Sequence, residues 1–339
     1  MRILVSSYTF HPSIGGIETV SDILCRQFVR LGHDVKLVTR TPGTEEDRFP
    51  FEVIRRPRML NLRKLINWCD VYLQNNISLE LAWPVLVSRK PWLVTHQTWI
   101  SRADGQVSWK DRLKRRLLKS AIGISISKAV AEHAPTPTVI IGNPYREDIF
   151  RPITGVVRDQ DLLFVGRLVS DKGVDLLIDA MGQLKAKGLT PQLSLVGSGP
   201  EESFLRTQVE RLKLHNQITF MGSKSGDELA RIMNAHRIMI VPSRWNEPFG
   251  VVSLEGIACG CVIVGSEGGG LKDAIGSCGL TFPNNNSTGL AVHLEHLLTG
   301  NGVLEKYRQF ASEHLNSFKG IVVAQRYLRQ FEEALAERE

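Results

Sequence analysis

The chain has 339 residues, 42% of them hydrophobic and 23% charged, which excludes a disordered chain and fits two domains of ordinary size. Its formal net charge of +7 is unevenly held: residues 1–155 carry 23 Lys and Arg against 14 Asp and Glu, and residues 156–339 carry 19 against 21. The two halves are therefore expected to meet different partners.

No run reaches the ~18 apolar residues that span a bilayer. The stretch Met1–Ser7 is too short and turns polar too soon for a signal peptide, and reads as a first strand. Five scattered cysteines point to a reducing compartment rather than a disulfide framework, and so to a cytoplasmic location. Cys259 and Cys261 have no second Cys or His pair to complete a zinc site.

In chain order, strand-length apolar runs lie near 2–6, 35–39, 70–73, 92–95, 122–126 and 138–141, with helical patterns over 18–31, 78–88 and 110–119. The alternation restarts with strands near 161–165, 192–196, 217–220, 238–241 and 261–265. Helices are expected over 173–187, 201–213, 226–235, 249–259, 287–298 and 303–316. Strands alternating with helices mean parallel sheets covered on both faces. Two such series predict an α/β protein of two doubly wound domains, 1–152 and 153–318. A terminal amphipathic helix within 319–339 is expected to pack back on the first domain. Open parallel sheets bind ligands beyond the carboxyl ends of their strands, so an active site is expected in a cleft between the domains.

The loops after strands carry the candidate residues. Gly15 and Gly16 follow the first strand and open a helix, an arrangement that lets backbone N–H groups approach an anion; a plain turn is the competing reading. His96 stands at the end of a strand, as a ligand contact or as a histidine held by a local hydrogen bond. Arg167 and Lys172 follow the strand 161–165, a fork and a point charge suited to a diphosphate, unless Arg167 simply pairs with Asp171 or Asp175. Gly197-Ser198-Gly199-Pro200 is another strand-to-helix glycine turn. The densest signal is Val241–Gly256, where Glu247 stands in a loop, a helix is expected from Phe249, and Glu255 lies eight residues after Glu247. Carboxylates pair well with vicinal sugar hydroxyls; the bland alternative is that Glu247 caps the helix and Glu255 is surface charge. Asp159-Gln160-Asp161 precedes a strand, the wrong edge of a sheet for a metal–diphosphate site.

Gly15-Gly16-Ile17-Glu18, Gly166-Arg167…Lys172-Gly173, Gly197-Ser198-Gly199-Pro200 and above all Glu247-x7-Glu255 resemble, in order and distance, the retaining glycosyltransferases of family 4. These have the GT-B fold, two Rossmann-like domains around a cleft. The segment 140–150 also resembles that family, departing from it by Pro144 after Asn143.

The resemblance implies that the second domain binds a nucleotide sugar, a UDP-sugar such as UDP-glucose, and that the first binds a glycan or lipid-linked acceptor. It implies that Arg167 and Lys172 hold the diphosphate, that Glu255 binds the ribose, and that Glu247 contacts the transferred sugar. Phe249, Gly250 and Val251 would offer backbone N–H groups, and Lys224 would lie at the base-binding edge. Gly15 and Gly16 would approach the phosphate, and His96 the reacting carbon. It implies polysaccharide or glycoconjugate biosynthesis with no cofactor and no essential metal. A nucleotide-sugar epimerase of similar fold and a non-catalytic protein that binds anionic surfaces are the alternatives. The basic run 109–119, with Trp109 at its head, suits peripheral attachment to an anionic membrane at its inner face, the competing reading being an ordinary exposed helix packed by its Leu stripe. No recognisable nucleic-acid motif is present.

Overall fold

The computed structural model describes residues 1–13, 15–43, 48–100 and 108–337. Two units are present, Met1–Tyr145 with Phe318–Glu339, and Arg146–Ser317. The boundary falls at Tyr145–Arg146 rather than at 152, because the segment after it is already tied to the second unit. There Asn234 donates from Nδ2 to the Arg151 carbonyl at 2.9 Å and accepts at Oδ1 from the Ile153 N–H at 3.0 Å.

The first unit is built on seven strands, β1 (Arg2–Ser7), β2 (Asp34–Thr39), β3 (Glu52–Arg55), β4 (Val71–Asn75), β5 (Trp92–His96), β6 (Ile122–Ser125) and β7 (Thr138–Ile140). They pair in the order β3-β2-β1-β4-β5-β6-β7, all parallel. The period of two decides which side chain joins which layer. Ile3 and Val5 pack with Val20, Leu24 and Phe28 of the helix Gly16–Arg30 and with Val323, Tyr327 and Phe331 of the helix Gly320–Ala336. Leu4 faces the opposite core, with Leu62, Ile66, Leu81, Val85 and Leu118. A one-residue slip of β1 would exchange the two sets.

The second unit has six strands, β8 (Gln160–Val165), β9 (Leu193–Val196), β10 (Ile218–Gly222), β11 (His236–Val241), β12 (Val262–Ser266) and β13 (Gly279–Phe282), paired in the order β10-β9-β8-β11-β12-β13 and again all parallel. Leu162, Phe164, Ile238, Ile240, Val262 and Val264 pack in one core with residues of the helices Val174–Ala186 and Ser287–Thr299. The helix Val251–Ala258 lies close over β11 and β12. A Cβ at Gly256 would stand 2.6 Å from Met239 Cε and 3.0 Å from Ile263 Cδ1.

Both sheets reverse their strand order beside their first strand, between β1 and β4 and between β8 and β11. These are the points at which ligands bind in doubly wound folds. Strands β3 and β13 and the helices Met59–Trp68, Lys128–Glu132 and Leu271–Ile275 add to the elements expected from the sequence. The expected helix 78–88 is a short helix, Leu79–Ala82, followed by a 3-10 turn, Trp83–Val87, with Pro84 in its first turn. The expected helix 303–316 divides into Val303–Arg308 and Ala311–Asn316. All five cysteines are free and buried.

Candidate functional site

In the second unit, backbone bonds bring the loop after β8 onto the loop after β11. The carbonyl of Asp171 accepts from the N–H groups of Arg244 and Trp245 at 2.9 and 3.2 Å. The guanidinium of Arg244 grips Asp175 with two bonds of 3.0 and 2.7 Å, a bidentate pairing that fixes direction as well as distance. Asp175 is thus the partner of Arg244, not of Arg167. Gly173 permits the approach. Its φ is +64°, and a Cβ there would sit 2.1 Å from the Pro242 carbonyl oxygen.

The loop after β12 is tied in as well. Glu247 bridges Gly269 in parallel register, and its carbonyl accepts from Gly270 N–H at 2.7 Å. Asn284 Nδ2 donates to the Arg244 carbonyl and to Asn246 Oδ1, both at 3.2 Å, while its Oδ1 accepts from Gly268 N–H at 2.9 Å. Phe249 is buried and anchors the loop from below, a burial that stabilises by about 2–3 kcal/mol.

Lys172 and Glu247 meet within this frame. Lys172 Nζ lies 2.5 Å from Glu247 Oε1, and Ser243 Oγ donates to the same oxygen at 2.7 Å. The Glu247 side chain is only 12% exposed, so the pair is partly desolvated and stronger than a surface ion pair. Glu247 does not cap the following helix. That helix begins at Val251, its N-cap is Gly250 with φ +95°, and no side chain caps it. Glu255 therefore stands about one turn into the helix, rather than two turns in from Phe249. It is not plain surface charge: burial pushes its carboxyl up to about 8, with Arg146 opposing the shift. Arg167 is exposed in the loop after β8.

The glycine turn after β9 has an internal reason. A Cβ at Gly197 would stand 1.8 Å from the Gly166 carbonyl oxygen, so glycine lets the loops after β8 and β9 touch. Lys224 points its ammonium at Glu228, 2.6 Å away, and the neighbouring Ser223 Oγ meets Ser198 Oγ at 2.8 Å. Asp161, at the amino end of β8, accepts from the Gln192 N–H and pairs with Arg237. It lies at the opposite edge of the sheet from Lys172 and Glu247. Among the described residues no group of three or more His, Cys, Asp or Glu side chains is arranged to hold a metal ion.

In the first unit the carboxyl edge carries a buried amide network that the sequence did not announce. Asn75 Nδ2 donates to Ser21 Oγ at 2.6 Å, and Gln97 Nε2 donates to Asn75 Oδ1 at 2.9 Å. Gln97 and Asn143 exchange two bonds, of 3.0 and 2.8 Å. Asn143 thus has a defined partner despite the following proline.

His96 ends β5 beside this network, 1% exposed, with neither ring nitrogen hydrogen-bonded among the described residues. Burial holds its imidazolium down to about 4, so the ring is neutral at physiological pH. The local hydrogen bond that would make it a satisfied structural histidine is not found among the described residues. Buried polar groups are nearly always paired, and leaving one unpaired costs about 1–3 kcal/mol.

Gly15 is the extended N-cap of the helix Gly16–Arg30, with no side-chain cap. A Cβ on Gly16 would meet nothing within 4 Å, so the protein's own packing does not demand glycine there. Ile14 of the same loop lies outside the described residues.

The helix Trp109–Leu117 opens with a capping box. Ser108 Oγ accepts from Asp111 N–H at 3.2 Å, and Asp111 Oδ2 accepts from Ser108 N–H at 3.0 Å. None of its residues is buried, and Trp109 is 70% exposed. Among the described residues no helix is long and apolar enough to cross a membrane.

Two Rossmann-like units in one chain are the architecture of the GT-B glycosyltransferases. Residues 146–314, nearly all of the second unit, match the family described as glycosyl transferases group 1. The chain is 34% identical, over 81% of its own length and 83% of the relative's, to an uncharacterized glycosyltransferase of Methanocaldococcus jannaschii. The chain belongs to this family and is a glycosyltransferase. It is also 30% identical to a glycogen synthase of Mycobacterium tuberculosis, over 94% of this chain and 91% of that one. Among solved structures, HepE of Anabaena in complex with UDP and glucose superposes with a TM-score of 0.77 at 20% identity, covering 98% of this chain and all of that one (100%). A sucrose-phosphate synthase of Thermosynechococcus elongatus gives a TM-score of 0.81 at 20% identity, covering 99% of each chain. At these identities the two structures establish the shared fold.

Proposed function

We propose that the chain is a retaining glycosyltransferase of family 4 that moves a sugar from a UDP-sugar, such as UDP-glucose, to a saccharide or lipid-linked glycan acceptor in polysaccharide or glycoconjugate biosynthesis, without a metal cofactor. The observation that carries this reading is the Lys172–Glu247 pair, fixed by Ser243 and by the bonds between its two loops at the switch point of the second sheet. The complexes of HepE with UDP and with UDP-glucose add support for the nucleotide.

In this reading Arg167 and Lys172 receive the donor's diphosphate, aided by the N–H groups of Phe249, Gly250 and Val251 near the helix N-terminus. Glu255 takes the ribose hydroxyls, the backbone around Lys224 and the turn at Gly197 flank the nucleoside, and Glu247 holds the transferred sugar. Breaking the sugar–phosphate bond leaves positive charge on the sugar and negative charge on the diphosphate. Cations preset where that negative charge grows lower the barrier. The acceptor hydroxyl attacks from the face the diphosphate leaves, a diphosphate oxygen takes its proton, and the new bond keeps the donor's anomeric configuration. In the first unit, Gly15, Gly16 and His96 keep the roles the family resemblance implies. The exposed basic helix Trp109–Leu117 attaches the protein peripherally to an anionic membrane.

The test is turnover of UDP-glucose by purified protein, read as UDP release and as the anomeric configuration of the glycosyl product. Release of UDP with an α-glycoside supports the proposal. A β-glycoside excludes retention, and an epimerised donor without transfer excludes the transferase reading of the donor chemistry.

A further inference from the structure

Four of the exposed apolar side chains of the first unit lie on two adjoining segments, apart from Tyr8, Val139, Ile140 and the pair Trp109 and Leu113 on the basic helix. Leu60 is 73% exposed and Met59 52%, both at the start of the helix Met59–Trp68, which buries only Leu62 and Ile66. Trp83 and Leu86 are exposed on the adjoining 3-10 turn Trp83–Val87, where residues three apart eclipse and share one face. The two segments touch there, the Trp83 indole Nε1 lying against Met59 Sδ.

Among the described residues the unpaired charge around these side chains has one sign. Between residues 48 and 90 the acidic residues are Glu52, Asp70 and Glu80. Each is engaged, with Lys36, Arg2 and Arg40 respectively. Arg58, Arg63 and Lys64 are exposed and form no ion pair among the described residues. Arg63 and Lys64 follow Met59 and Leu60 at helical spacing, so the apolar and cationic groups share one face. A second copy of the chain would bring the same positive charge and be repelled.

We infer that Met59, Leu60, Trp83 and Leu86, rimmed by Arg58, Arg63 and Lys64, form a docking face for an anionic lipid bilayer. Apolar side chains with an amphipathic indole enter the headgroup region while the cations meet lipid phosphates. Leu118, at the end of the basic helix Trp109–Leu117, packs in the same core as Leu62, Ile66, Leu81 and Val85. All three segments are therefore parts of one layer over one side of the first sheet. The inference rests on the membrane attachment proposed above and moves its centre from the basic helix to the Met59–Trp83 contact.

The experiment is co-sedimentation of the full chain with vesicles of equal parts phosphatidylglycerol and phosphatidylcholine, against vesicles of phosphatidylcholine alone. The wild type is expected to bind the anionic vesicles and to lose binding in high salt. Met59→Ser/Leu60→Ser/Trp83→Ser/Leu86→Ser and, separately, Arg58→Ser/Arg63→Ser/Lys64→Ser are each expected to weaken binding about a hundredfold, the latter at roughly tenfold or less per charge. Circular dichroism and UDP release matching the wild type show that each variant is folded. The charge variant is wholly at the surface and keeps the test decisive if the apolar one does not fold.

If both variants bind as the wild type while Trp109→Ser/Leu113→Ser does not bind, this face is excluded and attachment by the basic helix stands. If the wild type binds no vesicles, both fall. Salt-sensitive binding to polyglutamate without vesicle binding would assign the face to an acidic protein and overturn the inference.

Discussion

Lys172 and Glu247 are 75 residues apart in the chain and 2.5 Å apart in space. Neither loop could hold that geometry alone. Bonds from Arg244 and Trp245 to the Asp171 carbonyl, with the Arg244–Asp175 fork, set the distance between the two backbones. The fold itself thus holds the ion pair in place, the preorganisation that the proposed electrostatic role calls for. Removing one member should be a catalytic lesion more than a structural one. Glu247→Gln is expected to lower kcat about a hundredfold to a thousandfold, the usual cost of one preorganised polar contact, with Tm within a few degrees of wild type. A Tm loss that matches the loss of rate would make Glu247 structural.

Glycines separate by the same reasoning. Gly197→Ala drives a Cβ into the Gly166 carbonyl, at a φ of +142°. It should cost roughly 2–4 kcal/mol of stability, from strain and overpacking together. Gly16→Ala meets nothing within 4 Å, and alanine favours helix over glycine. Its Tm should hold or rise slightly while kcat/KM falls. Denaturant melts and steady-state rates on the two variants check both halves.

His96 and Glu255 give stability opposite pH slopes. His96 titrates near 4 in the folded chain against an ordinary value of 6.5. Between those values the unfolded chain binds the extra proton, so its contribution is lost as pH falls from about 6.5 to 4, by at most ~3 kcal/mol. Glu255 titrates near 8 against an ordinary 4.5. There the folded chain holds the extra proton, so stability falls as pH rises from about 4.5 to 8. Melts of Glu255→Gln against wild type should show the variant gaining relative stability toward pH 8. An unchanged difference across that range would contradict the shift.

Much of the fold was legible because it follows from periodicity. Eleven strands lie where apolar runs place them, and β3 and β13 do not announce themselves. Both are outermost strands. Glu52-Val53-Ile54-Arg55 has no fully buried residue and β13 has only Phe282, so neither carries the long apolar run of a central strand. The helix Met59–Trp68 buries two residues amid arginine and lysine, too thin a stripe to read. The candidate site was legible in its motif residues and illegible in its supports. Arg244, Asp175 and Asn284 act across long sequence separations, and Ser243, only four residues before Glu247, belongs to no recognisable motif. The Asn75–Gln97–Asn143 network joins the end of β4 to the segments after β5 and β7. Spacing along a chain does not encode such contacts; the sheet order creates them.

On the proposed reading a nucleotide sugar binds at the carboxyl edge of the second sheet, through the cations there. Calorimetric titration of UDP-glucose into wild type and Arg167→Ala tests it most directly. Arg167 is exposed and its loss should leave the fold intact. Loss of a charge-assisted contact worth about 1.5–3 kcal/mol predicts binding weaker by roughly tenfold to a hundredfold. Equal affinity for the two proteins would contradict the account.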